Sequence, residues 1–113
     1  MENRELIDKY TYRVEWSEED NTHIAKCLEF PSLMAHGATS VKALNEMEVV
    51  VTETIEWMGE DGEDIPEPFG LKKYKGNLTL RVPPELHKNL AIKSAEEGIS
   101  INKYILSRIS AAV

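Results

Sequence analysis

The sequence predicts an α+β chain in two halves, a β-β-β-α half over residues 1–71 and a β-α-α half over residues 72–113. Three observations predict it. Two alternating runs precede one long segment of helical period; a third alternating run precedes two short amphipathic segments around Gly98; and the charge changes sign between the halves. Residues 1–70 hold 17 Asp/Glu and 5 Lys/Arg, a net of −12, whereas residues 71–113 hold 3 and 8, a net of +5. A basic half suits phosphate and an acidic half suits a cationic surface, so the two halves point to different partners.

Residues 1–9 are polar and read as a frayed lead-in. From Tyr10 to Trp16, Tyr10, Tyr12, Val14 and Trp16 share one face while Thr11, Arg13 and Glu15 share the other, the period of a half-buried strand. Ser17–Asn21 has turn composition. His23–Phe30 is a second strand, with Ile24, Lys26, Leu28 and Phe30 opposite Ala25, Cys27 and Glu29, and a β-hairpin is the simplest joining of the two. Pro31 interrupts, and Leu33–His36 leaves room for a brief third strand before Gly37. Thr39 or Ser40 starts a helix to about Met58, with Leu44, Met47, Val51, Ile55 and Met58 on its apolar face. With Thr39 as N-cap the capping-box position falls on Lys42, so that motif is incomplete. Gly59–Asp64 ends the helix; Ile65–Leu71 has too many breakers for a regular element; Lys72–Lys75 reads as a basic linker.

The last stretch alternates again, Leu78, Leu80 and Val82 against Asn77, Thr79 and Arg81. Pro83 and Pro84 suit the first turn of a helix, and Glu85 sits where the helix dipole favours an anion. Leu86 and Leu90 lead an apolar stripe extended by Ile92 and Ala95, and Gly98 is placed as a left-handed stop. Ser100 caps a second helix whose apolar face is Ile101, Ile105, Ile109 and Val113. A lone strand and two helices in about forty residues are too few to close a core, and the strand leaves an open edge. Two chains pairing these strands antiparallel remove both defects, with Leu78, Leu80, Val82, Leu86, Leu90, Ile101, Ile105 and Ile109 as the dimer core. The outer face of the resulting ribbon carries Asn77, Thr79 and Arg81 twice, side chains able to hydrogen-bond base edges in a major groove.

Composition narrows the remaining possibilities. No run approaches the length of a membrane span, the charged opening MENRELIDKY has no apolar core of a secretory signal, and the expectation is a cytoplasmic protein. A single cysteine, Cys27, forms no internal disulfide and fits a strand core better than a nucleophile. His23, His36 and His87 are far apart and give no metal-ligand spacing, and Glu60–Asp64 lacks the alternation of a calcium loop. Glu15 and Glu29 without further acids are a poor two-metal site, and solvent positions on paired strands explain them better. Neither a catalytic residue, a metal nor a cofactor is expected.

The strand Asn77–Val82, the Pro83-Pro84-Glu85-Leu86 turn and the Gly98-Ile99-Ser100-Ile101-Asn102 junction resemble the ribbon-helix-helix DNA-binding fold. By that resemblance Asn77, Thr79 and Arg81 read bases, and backbone amides near Ser100, Ile101 and Asn102 hold a phosphate. Lys72, Lys73 and Lys75 would lie near further phosphates. The order of segments over residues 10–109 (YTYRVEWSEED, CLEFPSLMAHGAT, one helix, Ile65-Pro66-Glu67-Pro68, then this tail) resembles the HicB-family antitoxins of bacterial toxin–antitoxin pairs. The chain departs from the family in its helix start, where Ser40-Val41-Lys42-Ala43 follows the Thr in place of a frequent Glu-Glu-Ala. The resemblance implies a partial RNase H-like N-terminal domain without catalytic machinery that blocks HicA, a small mRNA-cleaving toxin. It also implies a C-terminal domain that binds operator double-stranded DNA as a homodimer, with a tetramer left open. Toxin contacts are expected at Glu18, Glu19, Asp20, Glu29 and His36. The alternative is a ligand-sensing transcriptional regulator with no toxin partner.

Overall fold

The computed structural model describes residues 2–113, which form two compact units that divide between Tyr74 and Lys75. In the first unit α1 (Asn3–Lys9), β1 (Tyr12–Ser17), β2 (Thr22–Cys27), β3 (Phe30–Gly37) and α2 (Ser40–Glu60) follow in chain order. The strands form one antiparallel sheet in the order β1-β2-β3. The second unit holds α3 (Pro84–Glu97) and α4 (Ile101–Ala112). The chain as a whole is α+β, with its described strands all in the first unit, and the unit boundary falls three residues later than the sequence suggested.

Small residues set the spacing of the first unit. Tyr12 pairs with Cys27, Val14 with Ala25 and Ala25 with Ala35, so the face toward α2 is floored largely by Ala and Cys. Against it α2 presents Ala43, Met47, Val51 and Ile55, all fully buried. A Cβ on Gly37 would fall 2.3 Å from the backbone N of Ala43, so only glycine lets the first turns of α2 lie this close to β3. Thr39 caps that helix, its Oγ1 accepting the Lys42 N–H at 3.1 Å. The inward helix stripe begins at Ala43, with the expected Leu44 only partly buried, because the close approach at Gly37 leaves room for a methyl and no more.

Three expectations are corrected here. Residues 3–9 are helical, not frayed: Ile7 is buried, Leu6 packs on the core, and the Tyr12 hydroxyl donates to the Ile7 carbonyl at 2.7 Å. β2 ends at Cys27, and a two-residue turn at Leu28–Glu29 makes Phe30 pair with Cys27, which puts Phe30 on the core face with Ala25 and Cys27, away from Ile24 and Lys26. The third strand is longer than Leu33–His36; it starts at Phe30 and tolerates Pro31 because β3 is an edge strand whose pairing slips between Ala25 and Cys27. The SEEDN turn is as expected, with Asn21 in the left-handed region at φ 50°.

In the second unit α3 ends at Gly98 (φ 69°, ψ 28°), where the Ile99 N–H bonds the Ser94 carbonyl at 3.0 Å. Ser100 then caps α4, its Oγ accepting the Lys103 N–H at 3.1 Å. The two helices pack through a narrower stripe than the sequence implied. Leu90, Ala91 and Ser94 turn inward on α3, and Ile101, Tyr104 and Ile105 on α4, whereas Leu86 and Ile92 stay exposed. Small Ala91 and Ser94 allow the approach, and the Ser94 hydroxyl is satisfied by the Ala91 carbonyl at 3.1 Å. Among the described residues no strand is formed between Lys75 and Pro83.

Candidate functional site

The functional residues expected from the sequence divide between the two units. In the second unit Asn77, Thr79 and Arg81 are all exposed, and so are their alternating neighbours, Leu78 at 86% and Leu80 at 63%. Gly76–Leu80 and one flank of α4 border an open groove lined also by Asn102, Ile105, Leu106 and Ile109. Large apolar side chains concentrated on one face of so small a unit mark a surface for association. Residues 77–82 have no ladder partner among the described residues and carry Leu78 and Leu80 at alternate positions, both open to solvent. Of the residues expected to meet phosphate, Lys73, Lys75, Ser100 and Asn102 are exposed and Ile101 is partly buried. Lys72 and Lys73 belong to the first unit, where the Lys72 ammonium lies 4.6 Å from the centre of the Phe69 ring. Tyr104, in the packed stripe, has the Arg108 guanidinium 5.1 Å from its ring centre.

In the first unit the expected partner-contacting residues do not form one surface. Glu18, Glu19 and Asp20 occupy the exposed β1–β2 turn, where Glu18 accepts the Trp16 indole N–H and Asp20 interacts with Ser17. His36 is exposed on the sheet face away from α2, opposite Ile24. Glu29, expected at a solvent position, is only 8% exposed. Its carboxylate accepts the backbone N–H of Thr11 at 2.9 Å and of Phe69 at 2.9 Å, and the Thr11 hydroxyl at 3.1 Å. The Cys27 thiol lies 3.5 Å away. Burial by itself would raise the Glu29 pKa, but the N–H groups of Phe69 and Thr11 outweigh it and hold the carboxyl below its ordinary value.

Glu29 is therefore a clamp that ties Thr11, just before β1, to the 65–71 segment, and its burial corrects the reading of Glu29 as a solvent position on paired strands. The Tyr10 hydroxyl holds the same segment, donating to the Pro66 carbonyl at 2.7 Å, while its ring meets Phe30 edge-on at 5.3 Å. Burial pushes Tyr10 up to about 12 and the Cys27 thiol up to about 11, so Cys27 is a protonated core residue and not a nucleophile. Glu15 does occupy a solvent position, exposed and 4.0 Å from Lys26. The sequence offered little sign of the clamp, because its partners lie 18 and 40 residues away.

One concavity in the first unit was not anticipated. It runs between α1 and α2 and is lined by Ile7 and Val49 together with Asp8, Glu48, Glu53 and Glu56. Among the described residues no helix is long and apolar enough to cross a membrane.

A model described as the HicB family matches residues 60–109. No curated protein and no solved structure matches the chain. Over the end of α2, the clamped 65–71 segment and most of the second unit, the chain is similar to the HicB family.

Proposed function

We propose that this protein is an antitoxin and autorepressor: the acidic unit binds and neutralises a HicA-type mRNA-cleaving toxin, and the basic unit binds the operator of its own genes as a homodimer. The observation that carries the reading is the unpaired Asn77–Val82 segment, with Leu78 and Leu80 open to solvent beside the apolar flank of α4. A second copy supplies the missing strand, covers those leucines together with Ile105 and Ile109, and completes a ribbon-helix-helix fold. The similarity of residues 60–109 to the HicB family supports the same assignment. So does the charge division, since a toxin that grips RNA needs a cationic surface and an acidic domain can cover it.

In this mechanism Asn77, Thr79 and Arg81 of both copies enter the major groove, where Arg reads guanine bidentately and Asn reads adenine. Ser100–Asn102 at the α4 start, with Lys73 and Lys75, meet phosphates. Each phosphate neutralised contributes roughly −0.9 to the slope of log affinity against log salt. The protein acts by binding in the cytoplasm and performs no catalysis. The direct test is a gel shift on the DNA upstream of its own gene. Arg81→Ala should weaken binding by about 1–3 kcal/mol and relax base preference at one position of each half-site. Unchanged operator affinity in that variant would show that this segment does not read bases.

A further inference from the structure

We infer that residues 65–71 form a strap with a two-part latch, Glu29 and Tyr10, and that the strap opens as one piece while the sheet and α2 stay folded. Opening lengthens the free chain between the two units. Pro66 and Pro68 have no N–H, so the segment is poorly suited to a strand ladder. Its backbone–backbone hydrogen bonds stay local: the Leu71 and Lys72 N–H groups both donate to the Pro68 carbonyl, at 2.9 and 3.2 Å. The Tyr74 hydroxyl donates to the Phe69 carbonyl at 2.9 Å, which ties the strap only to the chain that follows it. Among the described residues, two side chains hydrogen-bond the strap from the rest of the unit, Tyr10 through the Pro66 carbonyl and Glu29 through the Phe69 N–H. The remaining hold is apolar, with Pro68 fully buried and Ile65 packed on the core.

The latch stays satisfied when the strap leaves. Glu29 keeps the Thr11 N–H and the Thr11 hydroxyl, and water replaces the Phe69 N–H, so no buried charge is stranded. The Tyr10 ring keeps its edge-on contact with Phe30. Pivots lie on both sides, Gly62 at φ 72° and Gly76 at φ 79°, each with open space where a side chain would sit. Between them the prolines stiffen the segment, so it moves as a piece. Openings smaller than global unfolding are drawn from regions with few ties to the core, and this segment is such a region. With the strap closed, the first unit holds the chain as far as Tyr74. With it open, the hold ends near Glu63, whose N–H bonds the Met58 carbonyl at 2.9 Å. Residues 64–74 then add a reach of roughly 20 Å. In the dimer proposed above, that reach sets how far each acidic unit extends towards a partner molecule.

The experiment measures distances between spin labels by double electron–electron resonance in the full chain. Labelled chain is diluted into excess unlabelled chain, so that only distances within one chain are read. The label pair Glu19→Cys/Glu67→Cys spans the β1–β2 turn and the strap, and Glu19→Cys/Glu53→Cys spans the same turn and α2. All three sites are exposed, and Cys27 is buried away from the labelling reagent. With the latch intact, each label pair should give one narrow distance. The latch variant Tyr10→Phe/Glu29→Gln should raise the ratio of open to closed strap about tenfold or more, seen as a second, broad distance to the strap with the distance to α2 unchanged. Pro68→Asp puts a charge at a fully buried position, leaves the sheet side intact and should open the strap in the same way. It replaces the latch variant if circular dichroism shows that variant unfolded. An unchanged strap distance in the folded latch variant means that Glu29 and Tyr10 do not hold the strap, and overturns the inference. Both label pairs broadening together in Pro68→Asp makes the strap inseparable from the core and equally overturns it.

Discussion

Met47, Val51 and Ile55 of the first unit are sealed between a helix and a sheet, whereas Leu78 and Leu80 of the second lie open on a segment with no neighbour. The two units have the same kinds of residue in the same periods, an alternating run followed by amphipathic helix. They differ in whether the alternating run finds a partner within the chain. Three strands in the first unit satisfy one another and floor a helix; one run in the second has none. The first can therefore be stable alone, while the second should draw stability from association, and its unfolding should depend on protein concentration.

The sharpest way to break that contrast is to empty the core of the first unit. Ile55→Ala removes a fully buried side chain and should cost about 2–5 kcal/mol. Denaturant unfolding should show the loss equally at low and high protein concentration. A cost that fades as concentration rises would mean that the first unit also depends on a partner. In the second unit Leu80→Ala should produce the opposite pattern, with the midpoint moving strongly with concentration.

Gly37→Ala is the next largest. The new Cβ has backbone, not a flexible side chain, at 2.3 Å, so α2 must shift, and overpacking of this kind costs about 1–3 kcal/mol. The variant sharpens the comparison because it tests helix-on-sheet closeness, which the second unit lacks. Thermal unfolding of the wild type and variant reads the difference.

How far the sequence reveals each unit follows from the same contrast. The alternation of β1, the α2 period, the Thr39 and Ser100 caps and the Gly98 stop are local, and all were legible. The α1 helix was not, because seven residues with only Leu6 and Ile7 apolar show no period, and it is held by Tyr12 from outside itself. Glu29 looked like a solvent carboxylate because its partners come from Thr11 and Phe69, distances that no spacing rule spans. The groove between α1 and α2 was hidden for a related reason: without α1 it has only one wall.

The Glu29 clamp gives a pH-dependent prediction confined to the first unit. Its folded pKa lies below the ordinary glutamate value of 4.5, so folding favours the ionised form. The stabilisation is fully present above that ordinary value and is lost as pH falls through the lower folded pKa. Glu29→Gln keeps the shape but removes the charge that accepts two backbone N–H groups and a hydroxyl; hydrogen bonds to charged groups are worth about 1.5–3 kcal/mol. The variant should be less stable at pH 7 and should show a flatter acid limb than the wild type. An unchanged acid limb would mean that other carboxylates set it.

The smallest effect is the most closely matched. Thr39 and Ser100 perform the same act in the two units, a hydroxyl accepting the N–H three residues on at 3.1 Å. Thr39→Ala and Ser100→Ala each remove one cap and should each cost about 1 kcal/mol. The chemistry being equal, any difference must come from the setting. For Thr39→Ala the loss should be the same at every protein concentration, because the first unit is complete within one chain. For Ser100→Ala it should shift the concentration-dependent transition and weaken operator binding, since the cap orders the first turn of α4, whose neighbouring Ser100–Asn102 amides are proposed to hold a phosphate. If Ser100→Ala lowers stability without touching DNA affinity, the α4 start is structural only, and the phosphate contacts must be sought at Lys73 and Lys75.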